Sequence, residues 1–437
     1  DRSGASGGVL VSFVRTLRRH ATTGAFAVAD QSLIAGSNFL LSALLARWLT
    51  AAEYGAFSVI YTAFQLLMTM HMAMTSEPLL VLGSTRYSGR LRPYIALVSR
   101  LQWIPGLVVS AVSLVVAVVA NVRGSGLLGA AALGLAIAAP VILSQQFMRR
   151  AFYAELKPSR SVWGGAVYLV TMLGVLFFMF ESGSLSVTGG FLAMGVASLS
   201  AVALYSQWLR TPQGGQSVDT REVLREHWRY GRWSVPTTLL TWVPGNIYYT
   251  LLPVWHGLGA TADLQALMNL VLPVQHAISA VAVLLVPVYG RRLSQDGAAG
   301  LARGIRWGLV LLVGIACAYG VVIVGVGPAI ADWLYGSGKY ALNSGLLALA
   351  SLLAIGGATT SVLGGALRAL NSPRRVFFSY GLSFLFSVTG GLFLMYQYRV
   401  WGAVASLVAS SALTAISLAF MLRSAVAARY AEEAIRP

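Results

Sequence analysis

The chain has 437 residues, of which 57% are hydrophobic and 10% are charged, with a mean hydropathy of +0.72 and a net charge of +17. This composition excludes a soluble globular domain of such length. In a soluble protein the charge would suggest nucleic-acid binding, but here the basic residues follow the pattern of membrane orientation signals, so no nucleic-acid partner is expected. The single cysteine, Cys317, excludes an internal disulfide and a multi-cysteine metal site.

The first twenty residues predict a helix lying on the membrane surface. They lack the apolar core and small-residue cleavage site of a signal peptide. Apolar residues recur at helical spacing beside three arginines: Val9, Leu10, Phe13, Val14 and Leu17 with Arg15, Arg18 and Arg19. This pattern is typical of an amphipathic helix, and we assign residues 1–20 to it.

Twelve apolar segments follow. The length of each is close to or above the roughly 20 residues that a helix needs to cross the hydrocarbon. The predicted spans are 24–46, 54–82, 101–120, 127–148, 162–180, 187–209, 233–255, 264–289, 305–326, 342–367, 376–396 and 400–422. All but four of the 31 Lys and Arg residues then fall on one side of the membrane, the exceptions being Arg47, Arg123, Lys339 and Arg399. Because cytoplasmic loops retain basic residues, both termini are predicted to be cytoplasmic.

A polar connection, residues 210–232, divides the spans into two sets of six. It begins with a flexible stretch at 211–216 and continues as a predicted surface helix, Asp219 to Tyr230, with Val223, Leu224 and Trp228 facing lipid. The predicted domains are an N-lobe (21–209), this linker, a C-lobe (233–422) and a cytoplasmic tail (423–437).

The two sets of spans show weak internal similarity. Residues 53–57 and 263–267 open spans 2 and 8 at an offset of 210, and Gln65 meets Gln275 at the same offset. An even number of spans per repeat makes the repeats parallel. The sequence therefore predicts an all-α polytopic membrane protein with twelve transmembrane helices in two parallel-repeat six-helix bundles, and an alternating-access cycle.

Polar side chains within the spans are functional candidates because burial in lipid is costly. We predict that spans 1, 2, 7 and 8 line a substrate cavity with Asn38, Gln65, His71, Asn246, Tyr249, Asn269, Gln275 and His276. Polar groups that only bond between helices are the alternative.

Two carboxylates, Asp30 and Glu77, lie at comparable depth near the inner ends of spans 1 and 2. They are predicted gate or coupling residues. They either share a proton, or pair with Arg86, Arg18 or Arg368 to hold an inner gate shut.

Arg47 lies at the outer end of span 1, where it either attracts an anionic headgroup or pairs with Glu53. No His, Asp or Glu grouping in the sequence has metal-ligand spacing, and no glycine-rich loop is typical of a nucleotide site. Neither a metal nor a cofactor is therefore expected.

Four short motifs resemble one family of transporters. The run Leu44–Gly55 (LLARWLTAAEYG) is similar to the first-loop signature of bacterial polysaccharide flippases of the O-antigen type, within the multidrug/oligosaccharidyl-lipid/polysaccharide exporter (MOP) superfamily. Residues 77–80, 230–231 and 365–370 are similar to further parts of that family.

The resemblance implies a V-shaped transporter, like the multidrug exporters of the superfamily, in the bacterial inner membrane. It would move a polyprenyl-diphosphate-linked oligosaccharide to the outer leaflet for lipopolysaccharide or exopolysaccharide synthesis. Family members are thought to hold the diphosphate in a cationic cavity; Arg47 is carried over to that role, and Arg149 and Arg368 could reach it from the inner side. We expect a monomer among membrane lipids; H⁺ or Na⁺ coupling and a polysaccharide polymerase partner stay open.

Three other functions compete with this one. An ion-coupled multidrug antiporter of the same fold would need carboxylates in the middle of its cavity. A membrane enzyme would need converging reactive groups, but the longest outer connection, residues 327–341, offers only Asp332 and Lys339 as charged groups. A scramblase without a coupled cycle stays open as well. We therefore predict a transporter and not an enzyme.

Overall fold

The computed structural model describes residues 3–209, 218–370 and 372–435, and side chains from Ala25 onward except at 283, 284, 287, 373, 374, 428, 429 and 431–435. Residues 3–24 are helical, but the predicted amphipathic face of this segment lies outside the described side chains, and the predicted flexible stretch at 211–216 lies outside the described residues. Everything described is helix or short connection, with no strand.

The helices in chain order are α1 (Ser3–Trp48), α2 (Ala51–Met74), α3 (Ser76–Ser84), α4 (Leu91–Leu101), α5 (Trp103–Val122), α6 (Gly126–Ala154), α7 (Pro158–Glu181), α8 (Val187–Trp208), α9 (Thr220–His256), α10 (Leu258–Tyr335), α11 (Ser344–Ala369), α12 (Pro373–Phe386) and α13 (Leu392–Ile435). A 3₁₀ turn (Ser88–Arg90) precedes α4, and a π-helical turn (Ser387–Gly391) joins α12 to α13. Two long helices are interrupted by a non-helical residue: α10 at Gly297 (φ 63°) and α13 at Arg399 (φ 54°).

Ten helical stretches within the described residues are long and apolar enough to cross a membrane. The last of them, residues 375–427, contains the interruption at Arg399 and so holds two predicted spans. The predicted seventh span lies in α9, which is 37 residues long but carries three prolines and a polar first half. Each of the twelve predicted spans therefore lies mainly in helix, although residues 75, 102, 209, 342 and 343 within them are not helical. The fourth extends further than predicted, because α6 continues beyond residue 148 to Ala154.

The chain forms two compact units. The first comprises residues 1–41 and 67–235, and the second comprises residues 42–66 and 236–437. Helices α1 and α2 thus contribute residues to both. The predicted lobes, 21–209 and 233–422, stay a prediction.

In the first unit, the start of α9 packs by one face onto α3, α4 and the loop between them. Val223 is 1% exposed in an apolar cluster with Leu79, Tyr87 and Tyr94. One turn later, the ring of His227 bridges two groups: its Nε2 lies 2.7 Å from the Tyr94 hydroxyl, and its Nδ1 lies 2.9 Å from the carbonyl of Met74. Since a carbonyl only accepts, Nδ1 donates and Nε2 accepts from Tyr94. The prediction that Val223 faces lipid was wrong, because this packing buries it.

In the second unit, α2 begins with a reciprocal cap and then touches the start of α10. The Glu53 carboxylate accepts from the Thr50 backbone N–H (2.8 Å) and hydroxyl (2.7 Å), and the Glu53 N–H donates back to Thr50 Oγ1. This is a capping box. Two residues on, Gly55 lies so close to Leu258 that a Cβ would overlap the Leu258 backbone oxygen.

Gly55→Ala should destabilise the protein by about 1–3 kcal/mol, since the extra methyl meets backbone that cannot rotate away. The midpoint of thermal unfolding in detergent measures the loss. Gly36→Ala and Gly174→Ala are matched helical controls with open space around the added Cβ, and they should be neutral or slightly stabilising. Equal midpoints for all three variants would contradict the close contact.

Acidification should loosen the start of α9. Burial lowers the pKa of His227 below its ordinary 6.5, although the Met74 carbonyl acts in the opposite direction. The unfolded chain therefore binds the proton more readily, so this stabilisation is complete above pH 6.5 and is lost as the pH falls through and below that value. Amide exchange of residues 220–231, corrected for intrinsic rates, should rise on acidification. His227→Gln keeps a donor and an acceptor without titrating and should abolish the pH effect; an equal rise in that variant would exclude His227 as the cause.

Candidate functional site

A buried ion pair joins α1 to α6 in the first unit. The Arg149 Nε donates to Asp30 Oδ2 at 2.8 Å, with the two side chains 4% and 0% exposed. The Tyr153 hydroxyl donates to the same oxygen at 2.7 Å. Arg149 and Tyr153 are four residues apart on α6 and so share one face of that helix. A buried pair of this kind is maintained only where further hydrogen bonds satisfy both charges.

Those further bonds are present around the guanidinium. Arg149 Nη1 donates to Gln146 Oε1 (2.9 Å) and Nη2 to Gln31 Oε1 (3.4 Å). The backbone carbonyl of Arg149 accepts from Ser161 of α7 at 3.0 Å. The donors of Arg149 are thus directed to protein groups, which fixes the position of the guanidinium.

Two polar atoms beside the pair remain unsatisfied. Asp30 Oδ1 and Arg150 Nε are both buried and have no hydrogen-bond partner among the described residues. The Arg150 guanidinium lies 5.9 Å from the centre of the Tyr153 ring. Among these side chains, one carboxylate stands against two adjacent guanidinium groups, and Glu77 is a further carboxylate that acts electrostatically on Arg150. We call Asp30, Arg149, Arg150 and Tyr153 the α1–α6 charge cluster.

Glycine lets α8 approach the helix that supports this cluster. The Tyr205 ring lies where a Cβ of Gly164 would be, and its hydroxyl donates to the carbonyl of Ser161 at 3.0 Å. Ser161 in turn holds Arg149, so α6, α7 and α8 are joined by one chain of contacts.

The expected gate partners of the carboxylates differ from those in the structure. Asp30 pairs with Arg149, whereas Arg86 pairs with Glu222 and Glu226. Glu77 is exposed and accepts from Ser234 at 2.5 Å. Pairing of Asp30 with Arg86 was therefore a wrong prediction, and Asp30 and Glu77 do not share a hydrogen bond. The Arg18 side chain lies outside the described residues, and Arg368 is an exposed residue of the second unit.

In the second unit, a polar cluster cross-links three helices. The Tyr54 hydroxyl lies 2.6 Å from Ser42 Oγ and accepts from Asn269 Nδ2 at 3.0 Å. Asn269 Oδ1 accepts from Ser42 (3.0 Å) and Gln265 (3.2 Å). Tyr54 is fully buried and Asn269 is 3% exposed. Asn269, a predicted cavity residue, is thus engaged in bonding between helices, which was the alternative explanation.

The cations at the end of α1 in the same unit bind backbone carbonyls. Arg47 Nη1 donates to the Trp333 carbonyl at 2.8 Å. Lys339 Nζ donates to the carbonyls of Ala46 (2.6 Å), Arg47 (2.8 Å) and Leu49. Carbonyls at a helix C-terminus are without intrahelical donors, so a cation there acts as a cap. Desolvation lowers the pKa of Lys339, and the Glu53 charge acts in the opposite direction. The structure does not pair Arg47 with Glu53, which belongs to the capping box.

The other predicted cavity residues are divided between the units. The first unit holds Asn38 and His71. Asn38 is exposed, whereas His71 is buried and neither of its ring nitrogens has a hydrogen-bond partner among the described residues. The second unit holds Gln65 and Gln275 (half-buried), Asn246 (half-buried, donating to the Trp242 carbonyl at 2.9 Å), Tyr249 (buried) and His276 (exposed). Their role as one cavity stays a prediction. The described residues contain no group of three or more His, Cys, Asp or Glu side chains that could hold a metal ion.

Arg150 and Tyr153 were not predicted from the sequence. The predicted fourth span ended at residue 148, where the basic residues begin. The apolar period nevertheless continues through Phe147, Ala151 and Phe152, all of which are fully buried. That continuation was the available signal that α6 extends past its arginines.

No protein-family model and no curated protein sequence matches the chain. Its fold matches an inward-facing multidrug-resistance MATE transporter of the MOP superfamily over 92% of this chain and 95% of that one, with a TM-score of 0.74 and 14% identity. It also matches the lipid II flippase MurJ in an inward closed conformation over 91% of this chain and 87% of that one, with a TM-score of 0.69 and 11% identity. A MOP-superfamily transporter from Pyrococcus furiosus Vc1, whose reversed binding-pocket polarity is taken to suggest a different function, matches with a TM-score of 0.64 and 12% identity over 93% and 96% of the two chains.

At these identities the likeness shows the fold. The chain has the all-helical, polytopic fold of MOP-superfamily transporters, which confirms the predicted fold class. Drug exporters and a lipid flippase share this fold, so the fold does not select the substrate. The narrower resemblance to polysaccharide flippases stays a prediction.

The two partners of the buried ion pair should be energetically coupled. Asp30→Asn or Arg149→Gln alone leaves a buried charge without its counter-charge and should cost about 3–5 kcal/mol. The double variant should lose clearly less stability than the sum of the two single losses, because neither charge remains. Unfolding of the four proteins in one detergent measures the coupling. Additive losses would contradict a direct pair.

Proposed function

We propose that the protein is a flippase that moves a polyprenyl-diphosphate-linked oligosaccharide from the inner to the outer leaflet by alternating access. The observation that carries this proposal is the charge balance of the α1–α6 charge cluster. Asp30 is neutralised by Arg149, and Arg150 remains with a buried Nε that has no hydrogen-bond partner among the described residues. A membrane-embedded site with surplus guanidinium charge suits an anionic headgroup.

Arginine provides the chemistry that a diphosphate needs. A guanidinium presents several donors in one plane and binds phosphate oxygens by short, charge-assisted hydrogen bonds. Arg149 is held in place by Gln31, Gln146 and Asp30, so Arg150 is the group of this cluster that can turn towards a ligand. It lies four residues from the C-terminal end of α6, at a depth of about 6 Å along the helix. In the proposed topology this is the cytoplasmic end, where the substrate enters.

The energetics of such a transport step are favourable. A headgroup with about two negative charges, moved outwards across an inside-negative membrane, gains roughly 2.3 kcal/mol per charge per 100 mV. Polar side chains replace water around the diphosphate, while the polyprenyl chain stays among the lipid tails and avoids the desolvation cost of crossing hydrocarbon. A coupling ion would assist this cycle without being required by it.

The proposed membrane, topology and pathway follow from the proposed substrate and the predicted orientation of the chain. The protein would lie in the bacterial inner membrane with both termini in the cytoplasm, and would act in surface-polysaccharide synthesis beside a polymerase. The MurJ likeness supports a lipid-linked substrate, since that protein is described as a lipid II flippase.

A multidrug antiporter is the second candidate. The likeness to a MATE transporter and the unpartnered Asp30 Oδ1 favour it, because a free carboxylate oxygen can take a proton or a cation. The neutralising contact from Arg149 and the surplus charge of Arg150 oppose the binding of a cationic drug at this cluster.

Deleting the gene should leave a lipid-linked oligosaccharide facing the cytosol and should not change sensitivity to cationic dyes. In the deletion strain, Arg150→Gln should restore polysaccharide export about 10–100-fold less well than wild type, since one charge-assisted hydrogen bond contributes roughly 1.5–3 kcal/mol. Asp30→Asn and Arg47→Ala should also lose export, in part through misplaced helices. Lipid extraction and surface-polysaccharide immunoblotting provide the readouts.

Arg123→Gln is the matched control, because Arg123 is an exposed arginine just after the end of α5. Lys339→Ala does not serve as a control, since Lys339 caps α1. Unchanged lipid-linked oligosaccharide together with increased dye sensitivity in the deletion strain would favour the antiporter instead.

A further inference from the structure

The first turns of α9 carry three distinct faces. Val223 and His227 form the buried face that packs onto the rest of the first unit. Arg221, Arg225 and Arg229, spaced four residues apart, form an exposed stripe on another side. Because the buried face fixes the rotation of the helix, the stripe cannot turn inwards.

The stripe lines a cleft of about 820 Å³ together with Arg86, Arg232 and Trp228. Three acidic residues line it as well, but each is engaged. Glu222 and Glu226 pair with Arg86, and Asp219 Oδ1 accepts from the backbone N–H of Arg221 at 3.0 Å.

Four arginines of the cleft therefore lack a carboxylate partner within salt-bridge distance in the part of the chain that the structure describes: Arg221, Arg225, Arg229 and Arg232. Their charge is available to an anion.

Two large apolar side chains lie between the arginine stripe and the buried face. Leu224 is 49% exposed and Trp228 is 59% exposed, and they are one turn apart on the helix. At 100° per residue both fall within the arc that separates Val223 and His227 from the arginines. A cationic stripe beside an exposed Trp and Leu is the arrangement of helices that lie in the headgroup region of a membrane.

We infer that residues 219–232 form a binding site for anionic phospholipid, with the lipid phosphate among the cleft arginines and with Leu224 and Trp228 at the acyl boundary. A free phosphate or the diphosphate of a transport substrate offers the same charge. Phospholipid is the occupant because the adjoining Leu224 and Trp228 need an apolar environment that a soluble anion does not provide. This inference needs only the membrane fold and holds whatever the substrate.

The test places a dye on the apolar face. Leu224→Cys in a Cys317→Ala background is labelled with the polarity-sensitive fluorophore NBD, and the full chain is reconstituted into phosphatidylcholine vesicles with or without phosphatidylglycerol. Phosphatidylglycerol should shift the emission to the blue, and high salt should reverse the shift by screening. Each arginine near an anionic surface contributes about a fivefold factor to binding affinity. Arg221→Gln, Arg225→Gln and Arg229→Gln together should therefore weaken binding to phosphatidylglycerol on the order of a hundredfold and remove most of the blue shift.

A charge-matched control removes three exposed arginines elsewhere: Arg291→Gln, Arg306→Gln and Arg423→Gln. This control should respond to phosphatidylglycerol as the parent does. An equal response of both triple variants, or the same emission in both lipid mixtures, would overturn the inference. A full blue shift on adding inorganic pyrophosphate to vesicles of phosphatidylcholine alone would also overturn it, because the site would then bind soluble phosphate.

Discussion

The buried contact between Asp30 and Arg149 is the constraint on which the rest of the first unit depends. Two ions removed from water stay charged only while they face each other with their remaining hydrogen-bonding groups satisfied. Tyr153, Gln146 and Gln31 provide those groups, and Ser161 extends the network to α7. This network joins three helices, α1, α6 and α7. Arg150 is the second cation of the cluster: Asp30 and Glu77 act on it electrostatically, and its buried Nε has no hydrogen-bond partner among the described residues.

The second unit uses its cations differently. Arg47 donates to the Trp333 carbonyl near the end of α10, and Lys339 donates to carbonyls at the end of α1. Tyr340 also donates to the Ala46 carbonyl, at 2.7 Å. These contacts satisfy backbone groups that a membrane protein cannot leave bare. The positive charge at this end of α1 therefore serves the architecture, whereas the Arg150 guanidinium keeps a buried Nε without a hydrogen-bond partner among the described residues. This difference is the basis of the proposed role of Arg150.

Much of the fold could be predicted from the sequence, because hydropathy and the distribution of basic residues report directly on the bilayer. Asp30 could also be singled out, since a carboxylate within an apolar segment is conspicuous. Its partner could not, because pairing depends on which helices are neighbours and how they are rotated. The hydropathy pattern also placed the end of the fourth predicted span just before the arginines of the charge cluster. By composition Arg149 and Arg150 count as loop residues, although α6 continues through them.

Two other differences had signals that the sequence contained. The spacing Thr50-Ala51-Ala52-Glu53 is that of a capping box, and it could have assigned Glu53 to the helix start rather than to Arg47. The start of α9 has two apolar faces, whereas a simple surface helix has one. Val223 and Leu224 are neighbours in sequence, but Val223 packs on protein and Leu224 is exposed. Periodicity shows that such faces exist and does not show which of them has a protein partner.

The central claim is that a surplus guanidinium in the membrane selects an anionic lipid headgroup, and reconstituted transport tests it most directly. Purified protein in liposomes is supplied with a fluorescent short-chain polyprenyl-diphosphate sugar, and dithionite added outside reports which leaflet holds it. The account predicts protein-dependent exchange between leaflets that is much slower in Arg150→Gln than in Arg123→Gln. Exchange that is equal in both variants, or absent while a cationic dye is transported, would contradict it.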